Sequence, residues 1–338
     1  MKKLLVNEYF LVFLFCMAAV HGAAFSLMDN FDLANCPDCK TFLGLAKMDL
    51  MQSPIRRYRP IVPALAGGVN WMFGRVFHIL KPNSFAGDFA LSFSFCLVNS
   101  IIVSLWGTVI YRFGKAFGLA AIWAAAGTLV MLTCRWTPYI AGTPMADSIY
   151  CLVTGLVLLG IKERNNRLIT AAIFLGPFAK EAFIFIAPLI FIYSSLPRGR
   201  QLVYFALSGI FVFSFRYLYD RVAGTAPASG LEADLDHLNY LVSNTRRLLS
   251  FHGAYDVLSN MGLWLLFPLG LMFTGSGARK EMRSLFPPFV LAYLAVILLH
   301  MILSSSFERM FYLTMPVLCM VTGWSLYRIY GMITQTEK

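Results

Sequence analysis

The sequence predicts an all-α polytopic integral membrane protein with about ten transmembrane helices and a helical first outer loop. Three observations predict it. Of the 338 residues, 58% are hydrophobic and only 13% are charged, about half the roughly 25% charged residues of a soluble domain. Apolar runs recur along the whole chain, and a membrane crossing needs about 20 such residues. The short segments on one side of those runs are basic, as the positive-inside rule asks of cytoplasmic loops. With 30 Phe and 16 Met and a mean hydropathy of +0.67, the composition excludes a soluble globular protein and a disordered chain. The net charge of +11 is assigned to topology, and no nucleic-acid partner is expected. Residues 1–338 read as a single membrane domain, because the spans leave room for loops but not for a separate soluble domain.

The first span is Leu4–Ser26. Its Met-Lys-Lys start resembles a signal-peptide n-region, and His21–Ala24 resembles a weak cleavage site. Glu8 interrupts the apolar run and argues for retention. Residues 27–87 form the first outer loop. Ile61–Leu80 inside it is apolar, but counting it as a span would put the Arg112/Lys115 loop outside and invert every later basic loop. It is therefore expected to be interfacial or re-entrant.

The further spans are Asp88–Tyr111, Ala116–Cys134, Pro144–Ile161, Leu168–Phe178, Glu181–Leu196, Gln201–Tyr219, Val257–Gly275, Leu285–Ser304 and Met310–Ile329. Leu168–Phe178 and Glu181–Leu196 are short, share the Lys180-Glu181 hinge and read as a shallow hairpin. Both termini fall inside, beside the basic loops that hold Arg112, Lys115, Lys162, Arg164, Arg167, Arg198, Arg200, Arg279, Lys280 and Arg283. Residues 220–256 form the second long outer loop. There Leu238, Leu241, Thr245, Leu248, Leu249 and His252 recur at helical spacing, predicting an amphipathic helix on the membrane surface.

Of seven Cys, Cys16, Cys96, Cys134, Cys151 and Cys319 lie in or beside apolar runs and read as small core residues. Cys36 and Cys39 form an isolated CxxC in a polar loop. One such pair makes no four-ligand zinc site, and whether it forms a disulfide stays open, depending on an oxidising compartment. The five His are scattered, and GxSxG, HExxH and Walker A motifs are absent. No metal or cofactor is expected.

The topology brings Asp38, Arg57, Arg59, Asp147, Lys180, Glu181, Glu308 and Arg309 to the outer face from distant parts of the chain. Ionisable groups near membrane depth are costly, and are usually functional or paired. Asp147 opens a span, where it either caps the helix or serves a site. Lys180-Glu181 either neutralises itself or contributes to that site, and Glu308-Arg309 either anchors the last span or joins them. Asp38, Phe42 and Leu45 fall at helical spacing, placing a carboxylate above an apolar underside. Arg56, Arg57 and Arg59 suit a phosphate-bearing ligand or the lipid headgroups, because the guanidinium fork binds phosphate oxygens in pairs.

The run Asp38, Phe42, Ala46, Arg57-Tyr58-Arg59, Pro60, Pro63 and Leu65-Ala66 resembles the first outer loop of type C polytopic membrane glycosyltransferases. The likeness is to the polyprenyl- and dolichyl-phosphate-sugar mannosyltransferases. Asp147, Lys180-Glu181 and Glu308-Arg309 fit three later slots of that pattern. The resemblance implies inverting transfer of a sugar from a polyprenyl-phosphate donor to an acceptor on the extracytoplasmic face. Asp38 would then be the catalytic base, and Arg57, Arg59, Asp147, Lys180, Glu181, Glu308 and Arg309 would bind substrate. Asp29 and Asp32 stand as other choices for the base. The implied setting is a bacterial inner membrane, with membrane lipids as further partners. Protein partners are not read from the sequence. Two other functions share the charge pattern: a transporter or flippase for a lipid-linked or anionic solute, and a glycan polymerase or ligase.

Overall fold

A computed structural model describes residues 7–31, 36–53, 56–80, 89–225, 240–273, 276–304 and 306–336, and among them the regular structure is helical throughout. The helices are α1 (Glu8–Asn30), α2 (Pro37–Ala46), α3 (Ile61–Leu80), α4 (Phe89–Ala116), α5 (Ala121–Leu132), α6 (Trp136–Gly142), α7 (Asp147–Glu163), α8 (Asn166–Ala179), α9 (Ala187–Tyr193) and α10 (Arg198–Ala223). They continue with α11 (240–248), α12 (Phe251–Met261), α13 (Leu266–Met272), α14 (Ser276–Ser284), α15 (Pro288–Leu303), α16 (Phe307–Phe311) and α17 (Met315–Thr336).

Four helices are long and apolar enough to cross a membrane: Glu8–Asn30, Phe89–Ala116, Arg198–Ala223 and the continuous Phe307–Thr334. Counting each of two bent pairs as one span raises the number to six. Ten full crossings, as the apolar runs suggest, are therefore not reached by helix length. The shortfall has a local cause. α5, α8 and the Glu181–Tyr193 segment are short, because Gly, Pro and polar pairs cut the apolar runs. Gly118 sits at φ +89° before α5, and Pro177 lies inside α8. Lys180 is extended between α8 and the turn that follows. Hydropathy counts these runs as spans, whereas the backbone breaks them.

α4 and the last helix form the interior, while α1 and α10 stand at the periphery. α4 packs against α1, α3, α5, α6, α7 and α17, and buries Phe95, Trp106, Ile110 and Phe113. α1 turns the four-residue repeat Cys16, Val20, Ala24, Met28 inward. Small residues let backbones approach, as is usual between membrane helices. A Cβ on Gly142 would strike the Ala24 carbonyl, and one on Gly127 would strike that of Cys319.

The two ends of the bundle differ in chemistry. At one end Glu163 closes α7 and pairs with Arg112 of α4, Nη2 to Oε2 at 2.5 Å. Nearby Glu8 of α1 pairs with Lys115 at 2.8 Å. Asp147 lies at the opposite end of α7. Sixteen residues at about 1.5 Å each put these levels roughly 24 Å apart, against a hydrocarbon core of about 30 Å.

α3 packs on α2 and α4 and exposes Trp71, Met72, Phe73, Val76 and Ile79. The amphipathic pattern expected to run through His252 is divided. α11 ends at 248, and the Ser250 side chain accepts from Gly253 N–H and starts α12. Leu238 lies outside the described residues, as does Asp32.

Candidate functional site

α2 begins at Pro37, which suits the first helical position. The disulfide left open by the sequence is formed: Cys36 and Cys39 are bonded, with Cα atoms 5.2 Å apart. Cys36 is also the N-cap, its sulfur accepting from Cys39 N–H at 3.2 Å. Asp38 stands inside this stapled first turn. A carboxylate there is favoured by the helix dipole. Phe42 and Leu45 lie buried below it, so the apolar underside is as the spacing predicts.

A broken helix supplies the second carboxylate. α6 and α7 meet at 120°, and Asp147 opens α7. Asn99 of α4, fully buried, holds the break together. Its amide donates to the carbonyls of Thr143 and Met145, each at 3.0 Å, and its Oδ1 accepts from Ser148 Oγ at 2.5 Å.

Cations from three further segments converge on these two carboxylates. Lys180 Nζ lies 3.3 Å from Asp147 Oδ1. Arg309 Nη1 reaches Asp147 Oδ2 at 3.2 Å and Asp38 Oδ2 at 3.6 Å, so it bridges the two. Arg56 contacts Asp38 at 2.5 Å. Arg59 grips Glu181 with two nitrogens, Nε at 3.1 Å from Oε2 and Nη2 on Oε1. Burial opposes the charge of Arg59, but Glu181, with Asp147 and Asp38 beyond it, raises its pKa and keeps it cationic. Four cations thus face three carboxylates.

Behind Lys180 lies a polar pair that needs no ligand. Tyr150 Oη and His300 Nε2 are 2.7 Å apart, and His300 Nδ1 lies 2.8 Å from the Val296 carbonyl. The carbonyl requires a donor, so Nδ1 carries the proton and Nε2 accepts from Tyr150.

Two expected site residues go elsewhere. Arg57 is buried and pairs with Asp220 of α10 at 2.7 Å. The Tyr58 hydroxyl donates to the same carboxylate at 2.7–2.8 Å, and the Arg216 guanidinium lies 4.8 Å from the Tyr58 ring centroid. This knot fastens the first outer loop to α10. Glu308 pairs with Arg247, which also holds Asp256 at 2.7 Å. Asp220, Arg247 and Asp256 escaped the sequence reading. Their one signal was a charge at the edge of an apolar run.

Beside the ionic cluster is a recess of about 400 Å³ lined by Leu27, Arg135, Trp136, Tyr139 and Glu308. Tyr139 connects it to the stapled turn, packing on the buried group of Cys36, Cys39 and Met145. Arg135 Nε donates to Asn260 Oδ1 at 3.2 Å, and its guanidinium lies 5.7 Å from the Trp136 ring.

Among the described residues, no group of three or more His, Cys, Asp or Glu side chains is arranged to hold a metal ion. In comparisons with known proteins, no family model, no curated protein and no solved structure matches this chain. What the comparisons and the structure together establish is a helical protein with several candidate membrane spans.

Proposed function

We propose that the chain is a membrane glycosyltransferase that moves a sugar from a polyprenyl-phosphate donor to an acceptor hydroxyl. The observation that carries the reading is the cationic surplus around a partly exposed carboxylate. Arg56, Arg59, Lys180 and Arg309 outnumber Asp38, Asp147 and Glu181. Such a site attracts a further anion, and a lipid phosphate supplies one.

The chemistry follows from that arrangement. Asp38 takes the proton of the acceptor hydroxyl. The freed oxygen bonds to the anomeric carbon, and the bond from that carbon to the phosphate oxygen breaks. The electron pair stays on polyprenyl phosphate, where Arg309, Lys180 and the neighbouring guanidiniums stabilise it. One displacement from the opposite face inverts the anomeric centre. The like pattern of the type C transferases, from Asp38 through Ala66, supports the same assignment. In this reading the chain crosses a bacterial inner membrane about ten times, short helices included. The Glu163 end and both termini face the cytoplasm, and Asp38 faces outside.

The test is release of polyprenyl phosphate by protein in nanodiscs supplied with a panel of polyprenyl-phosphate sugars and candidate glycan acceptors. Release by the wild type and none by Asp38→Asn supports the assignment; equal turnover by Asp38→Asn removes it.

One observation favours a second reading, a transporter or flippase for a lipid-linked anion. The 120° break between α6 and α7 carries Asp147 at its corner, and discontinuous helices mark the binding sites of many transporters. Movement of labelled lipid between leaflets without cleavage of the sugar–phosphate bond identifies that function.

A further inference from the structure

The recess beside the ionic cluster has a different chemistry from the cluster itself. Its volume of about 400 Å³ lies in the range of small-molecule sites, about 300–1,000 Å³. Two aromatic walls meet at an edge, with the Trp136 and Tyr139 rings 5.0 Å apart and 87° between their planes. The Trp136 indole nitrogen is buried and has no hydrogen-bond partner among the described residues, whereas a buried indole N–H usually finds one. Glu308 lends a carboxylate and Arg135 a guanidinium. Each is fixed from behind, Glu308 by Arg247 and Arg135 by Asn260.

An aromatic face, one spare N–H donor, one carboxylate acceptor and one guanidinium are complementary to a pyranose. The C–H face of the ring packs on an aromatic side chain, and its hydroxyls both donate and accept. A lipid phosphate fits poorly, because Glu308 would repel it. An acyl chain would leave the indole N–H unsatisfied. Through Tyr139 the recess adjoins the turn that presents Asp38, and through Glu308 it adjoins Arg309 in sequence. A sugar held there is next to the carboxylate that would deprotonate it.

We infer that the recess lined by Trp136, Tyr139 and Glu308 is a carbohydrate subsite that holds the acceptor sugar. The inference rests on the transferase reading for the word acceptor, but not for the binding of a pyranose.

The experiment is saturation-transfer NMR on the full chain in nanodiscs, with methyl glucoside, galactoside, mannoside and N-acetylglucosaminide as probes. Hexanol and inorganic phosphate serve as competitors. Binding of one or more pyranosides by wild type is expected, weakened at least fivefold in Trp136→Phe, which keeps a ring and loses the N–H. Tyr139→Ala is expected to weaken it further, and Asp38→Asn to leave it within twofold. No pyranoside binding at tens of millimolar overturns the inference. So does displacement by hexanol, which marks a lipid-filled recess, or displacement by phosphate, which marks an anion site. Unchanged binding in both Trp136→Phe and Tyr139→Ala overturns it as well. Failure of the transferase assignment reads differently: pyranosides bind as expected, and no polyprenyl phosphate is released from any donor. A polyprenyl-phosphate sugar that displaces the pyranoside, while polyprenyl phosphate alone does not, would assign the recess to the donor's sugar and overturn the acceptor claim.

Discussion

Arg309 Nη1 stands 3.2 Å from the Asp147 carboxylate, although 162 residues separate the two in sequence. The contact joins the head of the last helix to the corner of the broken one. Lys180 shares the same carboxylate, so one buried anion holds two cations together.

Removing that anion leaves two buried like charges. Breaking a buried pair from one side typically costs about 3–5 kcal/mol. Asp147→Asn is expected to lose stability on that scale, read as a fall in thermal midpoint in nanodiscs. The double variant Asp147→Asn with Lys180→Met should recover part of it. Additivity of the two single losses would deny the coupling.

Asp38 provides the contrast. Its side chain is 24% exposed and its partner Arg56 36%, and exposed pairs contribute about 0–1 kcal/mol. Asp38→Asn should therefore unfold within about 1 kcal/mol of wild type while losing transfer. A stability loss as large as that of Asp147→Asn would make Asp38 a structural residue.

Asn99 is expected to be as sensitive as the charged residues. Its amide satisfies two carbonyls freed by the helix break, and its oxygen takes the Ser148 hydroxyl. Asn99→Leu strands three buried polar groups, each worth about 1–3 kcal/mol when unsatisfied. Poor recovery of folded protein on size-exclusion chromatography is the expected readout, with Asn99→Asp milder than Asn99→Leu.

The bond between Cys36 and Cys39 closes a very short loop. By chain entropy it is worth about 2 kcal/mol, so reduction should move the thermal midpoint little. Its effect should fall on Asp38, whose turn it staples. Cys36→Ser with Cys39→Ser is expected to lower kcat more than it raises KM for the donor. Mass spectrometry after differential alkylation checks that the bond is present.

The Asp220 knot is expected to act on the loop rather than on chemistry. Asp220→Asn keeps a partner for the Tyr58 hydroxyl but gives up the charge that faces Arg57. A loss of about 1.5–3 kcal/mol fits a hydrogen bond to a charged group. Faster hydrogen exchange across residues 56–60 locates the change.

The long helices and the ends of the bundle were legible from hydropathy and short basic loops, because both reflect single-helix properties. The number of crossings was not. Lys180, Pro177 and the 143–146 corner break helices that a hydropathy window reads as continuous. The charged residues were legible as a set, since apolar sequence makes each one conspicuous. Their pairing was not: nothing local distinguishes Arg57, which turns to Asp220, from Arg59, which grips Glu181. The recess was missed for a similar reason. Trp136 and Tyr139 sit among 51 aromatic residues (30 Phe, 15 Tyr and 6 Trp), and only the spatial order of α1, α6 and α16 separates them from lipid-facing ones.

The wide spacing of the cluster along the chain also sets an order in time. A ribosome delivers Asp38 first, then Asp147, then Lys180, and Arg309 only with the final helix. Until that helix arrives, Asp147 has one of its two cations and Asp38 lacks the bridge to it. The outer face therefore acquires its finished charge balance at the end of synthesis, and a nascent chain halted before α16 carries two aspartates without the arginine that joins them.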